Sequence, residues 1–300
     1  MENKEQAPPK RSVWPRITMV TAVRNGARYV EDTICSILNQ GYPNLEYFVV
    51  DGASTDGTQA IIRRYERELA GWISEPDQGV YDALNKGFAK STGEIMGWLN
   101  ASDMLHAKGL FVVGSVFADL PEVEWITGRP SGFSNEGFAV QVAPRLPRWS
   151  RYGFLMGANK YIQQESTFWR RTLWERAGGR VDSSLRAEGD FDLWVRFFRH
   201  AQHFSVDALI GGYRSHDDAL SASDIERYNR TCEEIIEREL PSAQWGTAIR
   251  TFRRLDRGIK QIPIARWLWF RVAEGPLYGL LGREASPIIE LRENRWAVRR

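Results

Sequence analysis

The chain has 300 residues, 43% of them apolar and 26% charged, with a net charge of +2; that apolar content supports a sizeable core and excludes overall disorder. The near balance hides a segregation, because residues 246–300 carry twelve Lys and Arg against five Asp and Glu. The two cysteines, Cys35 and Cys232, sit inside helical patterns and supply neither a disulfide framework nor a zinc spacing, so a reducing cytoplasm is the expected setting.

Residues 1–16 are polar and Pro-rich, lack the apolar stretch of a secretory signal, and are expected to be disordered. Ile17–Val23 is a short apolar, β-branched run ended by Asn25-Gly26, and Val30, Ile34, Ile37 and Leu38 then recur at helical spacing. Glu46–Val50 reads as a buried strand closed by Asp51-Gly52. Ser54-Thr55-Asp56-Gly57-Thr58 supplies helix-start residues before Ile61, Ile62, Tyr65 and Leu69. A third strand over Gly71–Ser74, a helix over Val80–Ala89, a fourth strand over Glu94–Leu99 and a helix over Leu110–Phe117 complete the alternation. Such alternation predicts an α/β fold with a mainly parallel central sheet flanked by helices, and sheets of this kind bind ligands past the carboxyl ends of their strands.

Beyond Trp125 the alternation fades into a Gly-, Pro- and Ser-rich stretch over 128–147 and a polar, aromatic segment over 161–213. The expected organisation is one domain over 17–221, with a ligand-binding half at 17–125 and a second half at 126–221. Residues 222–300 then form a basic, Trp-rich helical extension, beginning with a charged helix over Ile225–Leu240 that breaks at Pro241-Ser242. Its later part interleaves Trp245, Phe252, Leu255, Ile259, Ile262, Trp267, Trp269 and Phe270 with Arg250, Arg253, Arg254, Arg257, Lys260, Arg266 and Arg271. A basic amphipathic helix of this kind either lies on an anionic membrane surface or packs on the domain with a solvated basic face. The most apolar stretch, Ile262–Leu281, is interrupted by Arg266, Arg271, Glu274 and Pro276, so no transmembrane helix is expected. A nucleic-acid partner is not expected, since phosphate binding alone does not call for the Trp-rich apolar face.

Chemistry concentrates just past the strands. Asp51 could accept hydrogen bonds from a nucleotide base or ribose, although Asp-Gly after a strand also reads as a plain turn, and helix capping accounts for Ser54 and Asp56. Asn100-Ala101-Ser102-Asp103 follows the fourth strand, where a carboxylate can hold Mg²⁺ or Mn²⁺ while phosphate oxygens complete the octahedron; Asp103 is the best ligand candidate.

At this point the sequence resembles a known family. ITMVTAVRNG, VVDGASTDGT, SEPDQGVYDALNKGFAKSTGEIMGWLNASD, QQESTFWRR and GDFDLWVRF, in that order, resemble the inverting family 2 glycosyltransferases with the GT-A fold, over residues 17 to about 221. The resemblance implies that Thr21, Ala22, Asn25, Asp51, Lys86, Asn100, Ala101 and Ser102 line a nucleotide-sugar donor. It implies Asp103 as metal ligand of the DxD-type motif, with His216 beside the metal or diphosphate and Arg214 as a phosphate contact. Asp190 corresponds to the catalytic base, and Asp192 reads as a residue near a helix N-terminus. Two positions depart from the pattern: Ser102 replaces a carboxylate that contacts ribose or diphosphate, and Gly189 replaces the Glu before the base.

Gln164, Glu165 and Trp194 are the acceptor-side candidates, with Gln163 beside them; Trp169 and Trp194 also read as core, which is the usual place for aromatic residues at helical spacing. The implied reaction is a single in-line displacement from a nucleotide sugar, UDP-sugar first, to a growing surface polysaccharide or lipid-linked saccharide, with Mn²⁺ or Mg²⁺ as cofactor. The expected location is cytoplasmic, with a peripheral contact at the inner face of the membrane through the basic extension. A degenerate saccharide-binding scaffold and a sugar-phosphate nucleotidyltransferase are the alternatives. The latter is disfavoured because TAVRNGARYV lacks a Gly-rich opening.

Overall fold

The computed structural model describes residues 13–157, 161–216, 225–243, 246–260 and 285–299. Its first half is a run of β1 (Ile17–Val23), α1 (Val30–Leu38), β2 (Leu45–Asp51), α2 (Thr58–Arg64), β3 (Gly71–Ser74), α3 (Val80–Lys90) and β4 (Ile95–Trp98). Every residue of β1 is buried, and its side chains alternate between two cores, with Val20 and Ala22 in one and Ile17, Met19 and Val23 in the other. A strand buried on both faces is what a parallel sheet covered by helices requires. α1 buries Val30, Thr33, Ile34 and Ile37, one helical stripe, against this sheet.

The chain continues through β5 (Met104–Leu105), α4 (Gly109–Asp119), β6 (Trp125–Thr127), β7 (Ser131–Phe133), β8 (Ala139–Val142), α5 (Arg151–Leu155), β9 (Thr167–Arg170), α6 (Arg171–Arg176), α7 (Gly189–Phe197), β10 (Phe204–Val206), β11 (Gly211–Arg214), α8 (Ile225–Glu239), α9 (Gly246–Lys260), β12 (Ile288–Arg292) and β13 (Arg295–Arg299). A nine-stranded sheet has the order β13-β12-β10-β6-β9-β4-β1-β2-β3, and a four-stranded sheet the order β5-β11-β7-β8. In the large sheet β9 runs against β4 and β6, and β13 against β12; the remaining neighbours are parallel. From β1 the chain builds outward to β2 and β3, then returns to place β4 on the other side of β1. The strand order therefore reverses between β1 and β4, and the crevice past their carboxyl ends is where such a sheet binds ligands.

The core directly beneath that crevice is aromatic. Trp98 of β4, Trp125 of β6 and Trp169 of β9 lie side by side across the strands, and Trp194 of α7 stacks on Trp98 (6.0 Å between ring centroids, 8° between planes) and on Trp125 (5.6 Å, 26°). All four rings are at most 2% exposed.

Two expectations about the chain's ends change, and for α9 one of two open readings is favoured. Trp14, just before β1, packs edge-on against Tyr42 and Phe111, so 13–16 are part of the packed structure; residues 1–12 lie outside the described residues. The helical extension over 222–300 holds for α8 and α9 but not for 288–299, where β12 and β13 form a hairpin that widens the large sheet. Glu293 and Asn294 turn it with φ of 47° and 65°, the left-handed pair a two-residue hairpin needs. Trp296 anchors it by donating from Nε1 to Ser115 and from its backbone N–H to Asp119, and Ser286 lies 2.6 Å from the buried His203 ring. On α9, Arg250 pairs with Glu237 and Arg253 with Glu233, both on α8, and Arg253 is buried, so this helix packs on the domain and these two cations are not free for a membrane. Trp245 and the stretch Ile262–Leu281 lie outside the described residues. Among the described residues no helix is long and apolar enough to cross a membrane.

Candidate active site

The β1–α1 and β2–α2 loops meet at the crevice and hold each other. Asn25, at φ 51°, accepts the Thr55 N–H through Oδ1 (2.9 Å) and donates its backbone N–H to Ser54 (2.7 Å). Gly26 donates to Thr58 and Ala27 to Asp56. Asp51, at the last position of β2, faces inward: it is 0% exposed and accepts from the Ser54 N–H and hydroxyl and from Ser74. Its role is to tie the ends of β2 and β3 together, which corrects the expectation that it faces a base. Thr21 is also 0% exposed, its hydroxyl accepting from Tyr47, and Ala22 is buried beside it, so both form the floor under the crevice, not side-chain contacts within it. Asn25 remains exposed at the rim. Asp77, which sequence reasoning passed over, sits half-buried directly over Gly52, where an added Cβ would fall 2.3 Å from its Oδ2. It lies in the loop after β3, and its carboxylate reaches the end of β2 without being drawn into the core. Lys86 is clamped between Glu75 (2.9 Å) and Asp82 (3.3 Å), and the Glu75 carboxylate in particular holds its ammonium above the ordinary lysine range.

Across the crevice, the turn after β4 presents Asp103. Its carboxylate is 1% exposed and accepts the Arg214 N–H of β11 (2.9 Å) and the Asn100 amide (3.2 Å), while its carbonyl accepts from Thr33 of α1. Gln164 reaches Asn100 (3.4 Å) and the Trp98 carbonyl (2.7 Å), which fixes the turn onto the aromatic core. Ala101 and Ser102 are half-buried between them. Glu165, next in the chain, is buried and shares a hydrogen bond with Asp103. Burial raises both carboxyls above the usual carboxylate range, and for Glu165 the adjacent negative charge of Asp103 raises it further. Two negative charges side by side in this buried place are disfavoured.

Asp190 opens α7 and is within the electrostatic reach of Glu165. Burial pushes its carboxyl up to about 7, the Phe191 and Asp190 N–H groups at the helix start oppose the rise, and Glu188 adds to it. Glu188, a second residue missed in the sequence, is 2% exposed and accepts the Arg186 and Ala187 N–H groups. It supplies a buried acid one position before the site where the resemblance expects one. Gly189 cannot carry that acid: an added Cβ would meet the Tyr81 ring and Val181 at 2.7 Å. Gly189→Glu is therefore expected to destabilise the fold by about 1–3 kcal/mol through overpacking and not to raise activity, as thermal melting and turnover of the variant would show. Asp192 pairs with Arg196 within α7 (2.8 Å) and joins α7 to α8 through Arg238 (2.6 Å).

His216 follows β11, two residues beyond the Arg214 N–H that binds Asp103, and its ring packs on Tyr29 (4.8 Å). Arg214 is fully buried, pairs with Asp32 (2.9 Å) and lies over Tyr29, so its guanidinium holds the fold together and is not presented to a phosphate. Trp194 is likewise corrected: at 1% exposure in the middle of the tryptophan cluster it is core, and no acceptor can reach it.

The residues fit a hard divalent cation. Asp103 and Glu165 bring two carboxyl groups together, and a cation between them would offset the repulsion that burial strengthens. Among the described residues no group of three or more His, Cys, Asp or Glu is arranged to hold a metal, so ligands from a diphosphate would have to complete the coordination.

Residues 18–139 match the family model described as glycosyl transferase family 2. An uncharacterized glycosyltransferase of Mycobacterium tuberculosis is 28% identical over 187 residues, covering 60% of this chain and 68% of its own. TuaG of Bacillus subtilis, named for teichuronic acid biosynthesis, is 27% identical over 136 residues, 44% of this chain and 50% of its own. Among solved structures, S. aureus TarS 1-349 in complex with UDP-GlcNAc superposes with a TM-score of 0.63 at 13% identity, over 88% of this chain and 75% of its own. The mannosyltransferase PcManGT from Pyrobaculum calidifontis, in complex with GDP-Man and Mn²⁺, gives 0.57 at 19% identity, over 94% and 82%. At such identities the solved structures speak for the fold, and the sequence match speaks for the family. Residues 18–139 are thus similar to glycosyltransferase family 2, and the architecture is the GT-A fold.

Proposed function

We propose that this chain transfers a sugar from a nucleotide donor, a UDP-sugar first, to a saccharide or lipid-linked saccharide of a surface polysaccharide, inverting the anomeric centre. The observation that carries the reading is the meeting of Asp103, Glu165 and Asp190 at the strand-order reversal, with the Asp190 carboxyl pushed up to about 7. A carboxylate with that proton affinity is matched to general-base work near neutral pH. Asp190 accepts the proton of the acceptor hydroxyl as its oxygen bonds to the anomeric carbon and the bond to the nucleoside diphosphate breaks on the opposite face. Asp103, with His216 beside it, would hold Mn²⁺ or Mg²⁺, which as a Lewis acid neutralises charge on the departing diphosphate. Asn25, Asn100, Ala101, Ser102 and Asp77 border the space for the donor, residues 17–125 forming the donor half and 126–221 the acceptor half.

UDP-GlcNAc and GDP-Man in the similar structures support a nucleotide-sugar donor, and the likeness to TuaG supports a surface-polysaccharide acceptor. Cys35 and Cys232 as thiols suit a cytoplasmic setting, with any membrane contact peripheral. Calorimetric titration of nucleoside diphosphates with Mn²⁺ and with chelator tests the reading. One nucleotide is expected to bind in a metal-dependent way, at least tenfold more weakly to Asp103→Ala; an absence of binding to the wild type would favour a saccharide-binding scaffold.

A further inference from the structure

With Trp194 in the core, an aromatic face for the proposed acceptor has to come from another residue, and the structure offers one. Two tyrosines are within the electrostatic reach of Asp190: Tyr81 of α3, whose ring presses on Gly189, and Tyr228 of α8. The Tyr228 ring stacks with Tyr161, with 6.2 Å between centroids and 19° between planes. Tyr161 is 61% exposed, and its hydroxyl reaches Asn229 of α8 at 3.4 Å. One side of this ring is thus held by α8 while most of its surface is open. The chain itself also ties Tyr161 to the site, because Glu165 lies four residues on, bonded to Asp103 and within the field of Asp190. α8 is in turn locked to α7, which carries Asp190, by the Arg238–Asp192 pair.

A pyranose presents an apolar C–H face and a rim of hydroxyls, so it binds well where a fixed aromatic face stands beside hydrogen-bonding carboxylates. We propose that Tyr161, backed by Tyr228, is the stacking platform for the acceptor sugar, taking the C–H face of a pyranoside so that one of its ring hydroxyls points at Asp190. This rests on the glycosyltransferase reading above. Tyr161 is then a specificity-determining residue: it selects acceptors with an unsubstituted C–H face and does not touch the donor.

The test uses ligand-observed saturation-transfer spectra of the full chain with methyl glucoside, galactoside, mannoside and N-acetylglucosaminide, in the presence of UDP or GDP and Mg²⁺. At least one pyranoside is expected to take up saturation at its ring C–H protons with the wild type and with Tyr161→Phe. Tyr161→Ala is expected to bind it about tenfold more weakly, with the nucleotide signal persisting. Equal pyranoside signals in Tyr161→Ala and the wild type would overturn the platform. So would nucleotide binding with no pyranoside signal in the wild type, or loss of both ligands together in Tyr161→Ala. Failure of the wild type to bind either nucleotide would instead remove the glycosyltransferase reading on which the platform rests.

Discussion

Asp190→Asn is expected to lower turnover by about 10²–10⁴-fold, the range for loss of a positioned general base, while nucleoside diphosphate affinity stays near that of the wild type. The pH profile separates this from a structural effect. A base works only when deprotonated, so the wild-type rate should rise as pH passes through about 7, the value to which burial pushes the Asp190 carboxyl, and the variant should lose that limb. Stability should move the other way. The folded state holds the Asp190 proton more tightly than the unfolded chain does, so between the ordinary aspartate range and about 7 the native state binds more protons, and stability falls as pH rises. Asparagine removes that dependence. Above pH 7 the inactive variant should therefore melt higher than the wild type, by about 2–4 °C for each kcal/mol released. A variant that loses both activity and stability at pH 8 would show that Asp190 serves the fold and not the reaction.

Trp194→Ala should be the most destabilising single change, about 3–5 kcal/mol, because the ring fills the space between Trp98, Trp125 and Trp169 and the surrounding strands cannot close over the cavity. Among the described residues its Nε1 has no hydrogen-bond partner, so Trp194→Phe, which deletes that donor, should cost much less than alanine. Chemical denaturation of the three proteins checks the order. An acceptor residue would behave differently, raising the acceptor KM with little change in stability, and that outcome for Trp194→Ala would contradict its place in the core. The cluster also underlies the site: Gln164 hangs from the Trp98 carbonyl and steadies Asn100, so loosening the core should also loosen the turn that presents Asp103.

The early part of the chain was legible because its signals are local. The apolar β-branched runs, the helical spacing of Val30, Ile34 and Ile37, and the turn residues after each strand specify β1 through β4 and the helices between them with little help from distant residues. The end of the chain was harder. Ile289 and Leu291 do alternate with Glu290 and Arg292, but within a basic, aromatic stretch so short a pattern does not stand out, and only pairing with β10 makes the hairpin a strand pair of the large sheet.

The sequence by itself pointed to the α/β class, to the resemblance to family 2 glycosyltransferases and to Asp103 and Asp190 as candidates, because these depend on residue type just past strands and at a helix start. Tertiary structure decided which side chains are available for chemistry. Asp51 follows a strand as expected, yet Ser54 and Ser74 fold over it and take it out of reach. Trp194 has the composition of a sugar-binding residue and the address of a core residue, while Tyr161, unmarked in the sequence, stands exposed beside α8. Gly189 departs from the family pattern because of Tyr81, more than a hundred residues earlier. Burial and close approach come from segments far apart in the chain, and no local pattern encodes them; the proton affinity of Asp190 depends on both.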